Sequence, residues 1–539
     1  MSRAQIFLIL FLFSLSIFSA RAEWDCTKPV PTESGLVRGA VEKETGTCVW
    51  RGIPYAQPPV GELRWKAPQA HPGWDGIREA VELAPQCMQK EVKGWMKLFS
   101  PNPSKKMSED CLYLNIWRPK KPGKFPVMVW VHGGGYQWGT ANSPFYWGDR
   151  LAEQGEVVVV SFNYRLNIFG FFAHPRLREE DPNHSTGNQG SLDQVMALRW
   201  VKENIAHFGG DPNNITIFGE SAGGYSICTL LATPRAKGLF HRAIMMSGGC
   251  ETVQELEQGY KVARQSALRV GCQPEDINCL RSIPAEKLLY QGASSMVALD
   301  YIPHIDGYFL TDTPLNMIKA GNFNQVPVMA GYNKDEMARL LLLNPKYALS
   351  PKSSYEKKLK KLGFSEKEIK ALVQLYPLSE YKKPVYALGR MFGTDLTFAC
   401  DTYYALTALS QYVPELYLYR FDYDGFMLSS IAGVAHAMEL PYVFATLDRP
   451  PVNKLYHFAN IKKAQKLSEK IQKYFVNFAR SGNPNSAELP PFPGFKPGSP
   501  RIQILDEPIR TQQLDTVPRC QFWQEHKDKW VSIFSLLPF

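Results

Sequence analysis

The sequence predicts a doubly wound α/β sheet, and three observations carry the prediction. Short apolar runs bounded by turn residues recur along the chain, as strands do. In the strongest of them, Val157 to Val160, four apolar residues follow one another without alternation, which requires a strand covered on both faces and so a parallel sheet. Helical repeats stand between the runs, and strand, helix, strand alternation winds such a sheet from both sides.

In chain order, Arg3, a thirteen-residue apolar run from Ile6 to Phe18 and Ala20-Arg21-Ala22 read as the three parts of a secretory leader. The run is too short for a membrane core that needs roughly 20 residues. Residues 1–22 are therefore expected to be a signal peptide, with 23–539 forming one α/β domain. The strand candidates are FPVMVWVHGGG (125–135), EVVVVSFNYR (156–165), ITIFGES (215–221), RAIMMSGG (242–249) and VPVMAGYN (326–333). SLDQVMALRWVKENIAHF (191–208) puts Leu192, Val195, Met196, Leu198, Val201 and Ile205 at helical spacing and stops at Gly209-Gly210. The more polar stretches near 255–320 and 340–410 are expected to be helical insertions capping the sheet edge. A last helix carries Leu467, Ile471, Tyr474, Phe475 and Phe478 on one face and stops at Gly482.

Composition narrows the function classes. Removing 1–22 takes away two arginines and no acids, so the formal charge falls from +10 to +8, a modest excess on a large surface. No basic block with interleaved aromatics points to nucleic acid. The end SIFSLLPF lacks the polar spacer of a lipid-anchor signal, so an exported protein with no stable membrane anchor is expected. Neither CxxC nor HExxH occurs, and no metal site is predicted. Ten cysteines in an oxidising compartment should pair in part. Cys228 and Cys250, in apolar surroundings, are expected as buried free thiols. Asn183 and Asn214 head glycosylation sequons, and the second adjoins a core strand.

One stretch can carry chemistry. Gly219-Glu220-Ser221-Ala222-Gly223 matches G-x-S-x-G, a pattern that a chain this long meets by chance roughly 0.2 times. Its context is more telling: a strand precedes it and an apolar helix-like stretch follows, the strand-turn-helix of a nucleophile elbow. A serine hydroxyl needs a base, itself oriented by a carboxylate, and in this architecture the order is Ser, acid, His. His304, His436, His457 and His526 remain, of which His436 follows small residues that let its loop come close. Asp335 and Glu336 follow the strand VPVMAGYN, and Asp306 is a rival. The loop His132–Gly139 offers main-chain N–H groups that no Cβ shields, and Ala222 offers one more, enough for an oxyanion hole.

These motifs resemble the type-B carboxylesterases, the α/β-hydrolase group that includes cholinesterases. GIPYAQPPVGELRW, SEDCLYLNIW, VHGGGY, NYRLNIFGF, GNQGSLDQVMALRWVKENIAHFGGDPNNITIFGESAGG, AGYNKDE, ELPYVF and FARSGNPN carry the likeness in one order. The resemblance implies an α/β-hydrolase fold and a serine esterase with a small-molecule ester substrate and no cofactor. It assigns Ser221 as nucleophile, Glu336 as acid and His436 as base, with Gly134, Gly135 and Ala222 as the oxyanion hole. It also implies disulfides Cys87–Cys111, Cys272–Cys279 and Cys400–Cys520. To these we add Cys26–Cys48.

The chain departs from the cholinesterases in two places. Where they carry a cation-binding tryptophan it has Pro101, with Trp95 the nearest indole, so choline ester recognition loses its main attraction. The acyl-pocket positions fall on Val297 and Leu299, aliphatic where acetyl-selective members carry aromatics, so acyl groups larger than acetyl are expected. Some relatives have lost the nucleophile and act in adhesion. The alternative expectation is thus a catalytically minor binding protein, against which all three triad positions are occupied.

Overall fold

The unalternating apolar runs form the middle of one sheet. The computed structural model describes residues 23–91, 106–293, 299–343, 345–427, 429–456 and 458–526. The leader, Trp95, Pro101, Val297 and His457 lie outside the described residues. Among the described residues, eleven strands make the large sheet: β1 Ala40–Val41, β2 Cys48–Pro54, β3 Tyr113–Arg118, β4 Phe125–Val131, β5 Val158–Phe162, β6 Gly210–Glu220, β7 Arg242–Met246, β8 Val328–Asn333, β9 Leu416–Phe421, β10 Arg501–Leu505 and β11 Arg510–Gln513. Their order across the sheet is β11-β10-β9-β8-β7-β6-β4-β5-β3-β2-β1. From β10 through β5 every pairing is parallel, and the pairings at both edges are antiparallel. All five predicted runs lie in the parallel part, where both faces are covered.

Alternate side chains of β4 show how the cover is built. Val127, Val129 and Val131 face one apolar layer, shared with Leu198 and Val201 of helix α1 (Gln189–Asn204) and Ile227 and Leu230 of helix α2 (Ala222–Ala232). Met128 and Trp130 face the other layer, which holds Leu467, Ile471, Tyr474, Phe475 and Phe478. Those five belong to the predicted last helix, Phe458–Ser481. Gly209, at φ 74°, ends the turn that follows α1, and Gly482, at φ 82°, stands after Ser481.

Helices fill the chain between β7 and β8, including Leu256–Val270, and between β8 and β9, including Tyr355–Lys361, Glu366–Leu375 and Cys400–Leu409. No described helix is long and apolar enough to cross a membrane. Asn214 is tied into the structure, its Nδ2 donating to the Arg480 carbonyl at 3.2 Å, whereas Asn183 is exposed.

The described residues hold five disulfides, Cys26–Cys48, Cys87–Cys111, Cys228–Cys250, Cys272–Cys279 and Cys400–Cys520. The third corrects the expectation of two buried thiols. Cys228 on α2 and Cys250 just beyond β7 come within 5.4 Å at Cα, because α2 packs directly on β7.

Candidate active site

Strand β6 ends at Glu220 and α2 begins at Ala222, which leaves Ser221 alone to turn the chain. It does so at φ 59°, ψ −125°, a region that non-glycine residues enter only when the surroundings force them. Its N–H donates to the Met246 carbonyl at 2.9 Å, and its own carbonyl accepts from Tyr225 N–H at 2.9 Å. The turn is thus fixed on both sides, and Ser221 remains partly exposed at its tip. Gly223 makes the turn possible, since a Cβ there would lie 2.0 Å from the Val131 carbonyl oxygen.

The glycine loop after β4 lies against this turn. A Cβ on Gly133 would meet Ser221 Cβ at 2.9 Å, and Gly134 sits at φ 112°, open only to glycine. Among the described residues no acceptor faces the N–H groups of Gly134, Gly135 or Ala222. Ala222 heads a helix, so its N–H is one of the donors a helix start leaves free.

Just beyond β8, Glu336 adopts φ 38° and is 1% exposed. One carboxylate oxygen, Oε1, accepts from Ser247 Oγ–H and Asn333 N–H, both at 2.6 Å. The other, Oε2, stands 2.5 Å from His436 Nδ1 and holds that nitrogen as the donor. His436 N–H donates to the Glu336 carbonyl at 3.1 Å, so backbone and side chain lock together. Asp335 turns elsewhere: its Oδ2 accepts from Val434 N–H at 2.9 Å and pins the histidine loop. A Cβ on Gly433 would lie 2.6 Å from that oxygen, which is why small residues precede His436. Phe398 covers the imidazole, ring centres 4.8 Å apart.

The far nitrogen of His436, Nε2, stands 3.0 Å from Oε1 of Glu220, the residue before Ser221, but without hydrogen-bond alignment. That nitrogen can accept a proton from a hydroxyl. Glu336 and His436 therefore meet, and through Glu220 the imidazole stands beside the end of β6, the strand that leads into Ser221. Asp306 does not join them. It accepts from the N–H groups of Tyr308, Phe309 and Leu310 and from Ser185 Oγ–H, and so organises its own turn. His304 is buried elsewhere against the Gly187 carbonyl, and burial pushes its pKa down to about 4. His526 pairs with Glu368 at 3.3 Å beyond the helix Val517–Glu525. Leu299 is half-buried against the core.

Sequence reasoning missed the other acids of the site. Glu220 (4% exposed) and Glu439 (1% exposed) converge with Glu336 on His436. Burial raises the pKa of Glu220; His436 pulls it back and Glu336 pushes it up again. Burial likewise raises Glu439, reinforced by Glu220 and Glu336, while Asn333 Nδ2–H, donating at 2.5 Å, opposes. For His436 burial disfavours the charge, but the carboxylates of Glu220 and Glu336 outweigh it and raise its pKa to about 9. The only sequence signal was spacing: Glu220 adjoins Ser221 and Glu439 follows His436 by three.

With the geometry in place, comparisons with known proteins bear on it. A family profile described as "Carboxylesterase family" matches residues 27–523. Para-nitrobenzyl esterase of Bacillus subtilis is 35% identical over 488 residues, spanning 89% of this chain and 95% of its own length. Cholinesterase of Mus musculus is 33% identical over 530 residues, spanning 92% and 86%. Among solved structures, the Geobacillus stearothermophilus carboxylesterase EST55 matches with a TM-score of 0.80 at 34% identity, covering 92% of this chain and 100% of that one.

Proposed function

This chain belongs to the carboxylesterase family and is a carboxylic ester hydrolase, and from that premise we propose a secreted enzyme that works through an acyl-serine intermediate. Five disulfides suit an oxidising compartment and support export. His436 Nε2 takes the proton of Ser221 Oγ as that oxygen attacks the ester carbonyl. Glu336 steadies the imidazolium through Nδ1, and the N–H groups of Gly134, Gly135 and Ala222 hold the oxyanion, each donor worth roughly 2.7–4 kcal/mol of barrier. The imidazolium then protonates the departing alkoxide, which leaves as the alcohol. Water, activated by the same histidine, attacks the acyl-serine; the carboxylic acid leaves and Ser221 regains its proton. This chemistry calls for neither metal nor organic cofactor.

The observation that carries the reading is the 2.5 Å contact between Glu336 and His436 beside the strained Ser221 turn. Hydrolysis of p-nitrophenyl acetate, butyrate and octanoate by the mature chain and by Ser221→Ala tests it. We expect a loss of about 10³-fold or more on every ester in the folded variant, since serine and histidine work as a unit. Equal rates in both proteins would instead leave a binding role. The aliphatic positions Val297 and Leu299 favour butyrate or octanoate over acetate; a strong acetate preference in the same assay refutes that substrate class.

A further inference from the structure

Behind the loop that carries Glu336 lies a cavity of about 240 Å³, whose lining does not include Ser221. Five cations line it: Lys334, Arg339, Arg390, Arg420 and Arg519. Three carboxylates share the lining, Asp335, Glu380 and Asp515. Outside the lining, Asp422 grips Arg420 through two bonds of 2.6 and 2.8 Å, and Asp395 accepts from Arg390 Nε–H at 2.8 Å.

Those pairs leave donors over. Arg390 is 8% exposed, and its Nη2 is fully buried with no hydrogen-bond partner among the described residues. That atom has no open surface, so the donors free to meet a ligand are those of Lys334 and Arg339. Lys334 is exposed, and its ammonium has no partner among the described residues. Arg339 lies 4.3 Å over the ring of Tyr386 and only 3.8 Å from Asp335, too far for a hydrogen bond. Asp515, half exposed, spans Arg420 and Arg519 at 3.4 and 3.2 Å, loose contacts that a better acceptor could replace.

We propose that this cavity binds a small organic carboxylate. The forks of Arg390, Arg420 and Arg519 are largely taken by Asp395, Asp422, Asp515, Tyr381 and the Lys334 carbonyl, so the planar fork open to a carboxylate is that of Arg339, with the Lys334 ammonium beside it. Tyr381 and Tyr386 add ring surface for the body of the ligand. With Asp395 and Asp422 counted, five carboxylates stand against the five cations, so a singly charged ligand meets less repulsion than a phosphate dianion. The volume lies below the roughly 300–1,000 Å³ of drug-sized sites, so the ligand is small.

Titration calorimetry of the mature protein with benzoate, at pH 7 and fixed ionic strength, tests the site. We expect saturable one-to-one binding that Lys334→Gln and Arg339→Gln each weaken at least tenfold, with Lys334→Arg restoring most of it. Both side chains lie on the outer wall, and melting curves check that each variant is folded. Absence of saturation overturns the proposal. So does an affinity that neither substitution changes, and so does inorganic phosphate binding more tightly than benzoate.

Discussion

Glu220 is the residue whose charge most directly sets the working range of the base. In the proposed mechanism His436 must be neutral to take a proton, and its pKa is raised to about 9 because Glu220 and Glu336 outweigh the effect of burial. Raising that value moves the pH at which the base form appears upward, so kcat/KM should climb through a limb above the ordinary imidazole range. Glu220→Gln keeps the shape and removes one negative charge. A unit charge about 4 Å away is worth ~4 kcal/mol at an effective dielectric of about 20, before desolvation is counted. The ascending limb in Glu220→Gln should therefore move to lower pH by at least about one unit. A pH–rate profile that stays in place, or moves up, would mean that Glu220 does not act on the base.

At the scale of elements, the site depends on how closely β4, β6 and α2 approach. Gly223→Ala would press a methyl group to within 2.0 Å of the Val131 carbonyl, which is backbone and cannot swing aside. We expect about 1–3 kcal/mol of lost stability from overpacking, and a fall in turnover as the turn holding Ser221 shifts. Thermal melting and ester hydrolysis of the same preparation check both, and an unchanged melting curve would show the contact relaxes freely. The same elements mark what the sequence made legible. Unalternating runs revealed the parallel centre, since burial on both faces leaves a mark in composition. The edge strands β1 and β11, and β10 next to the edge, are short or mixed and left none. Asp335 and Glu336 could not be separated by position, because neighbours after a strand point to opposite sides. In the fold one reaches Val434 and the other His436. The convergence of Glu220 and Glu439 was illegible because charges brought together from distant segments leave no local pattern. Cys228 and Cys250 looked like thiols because an apolar setting is the same for a thiol and a disulfide.

For the molecule as a whole, the α/β-hydrolase sheet supplies the carboxyl ends where the site sits, while disulfides clamp the segments packed around it. Cys400–Cys520 joins the helix Cys400–Leu409 to the helix Val517–Glu525 across a sequence separation of 120. That span encloses β9, the histidine loop, β10 and β11. Cys272–Cys279 closes a separation of only 7. In the chain-entropy account, stabilisation grows with the logarithm of the closed loop, so the long bridge should be worth ~2.5 kcal/mol more than the short one. The double variant Cys400→Ser/Cys520→Ser should then inactivate on heating faster than Cys272→Ser/Cys279→Ser. At 25 °C both should keep their ester turnover, because the contact between Glu336 and His436 is made locally. For a chain this long the half-life at a fixed temperature is the sound measure, since unfolding of large disulfide-bonded proteins is commonly irreversible. Equal half-lives would mean that the long loop is already constrained in the unfolded chain, or that packing of the two helices holds the C-terminal segment without the bridge.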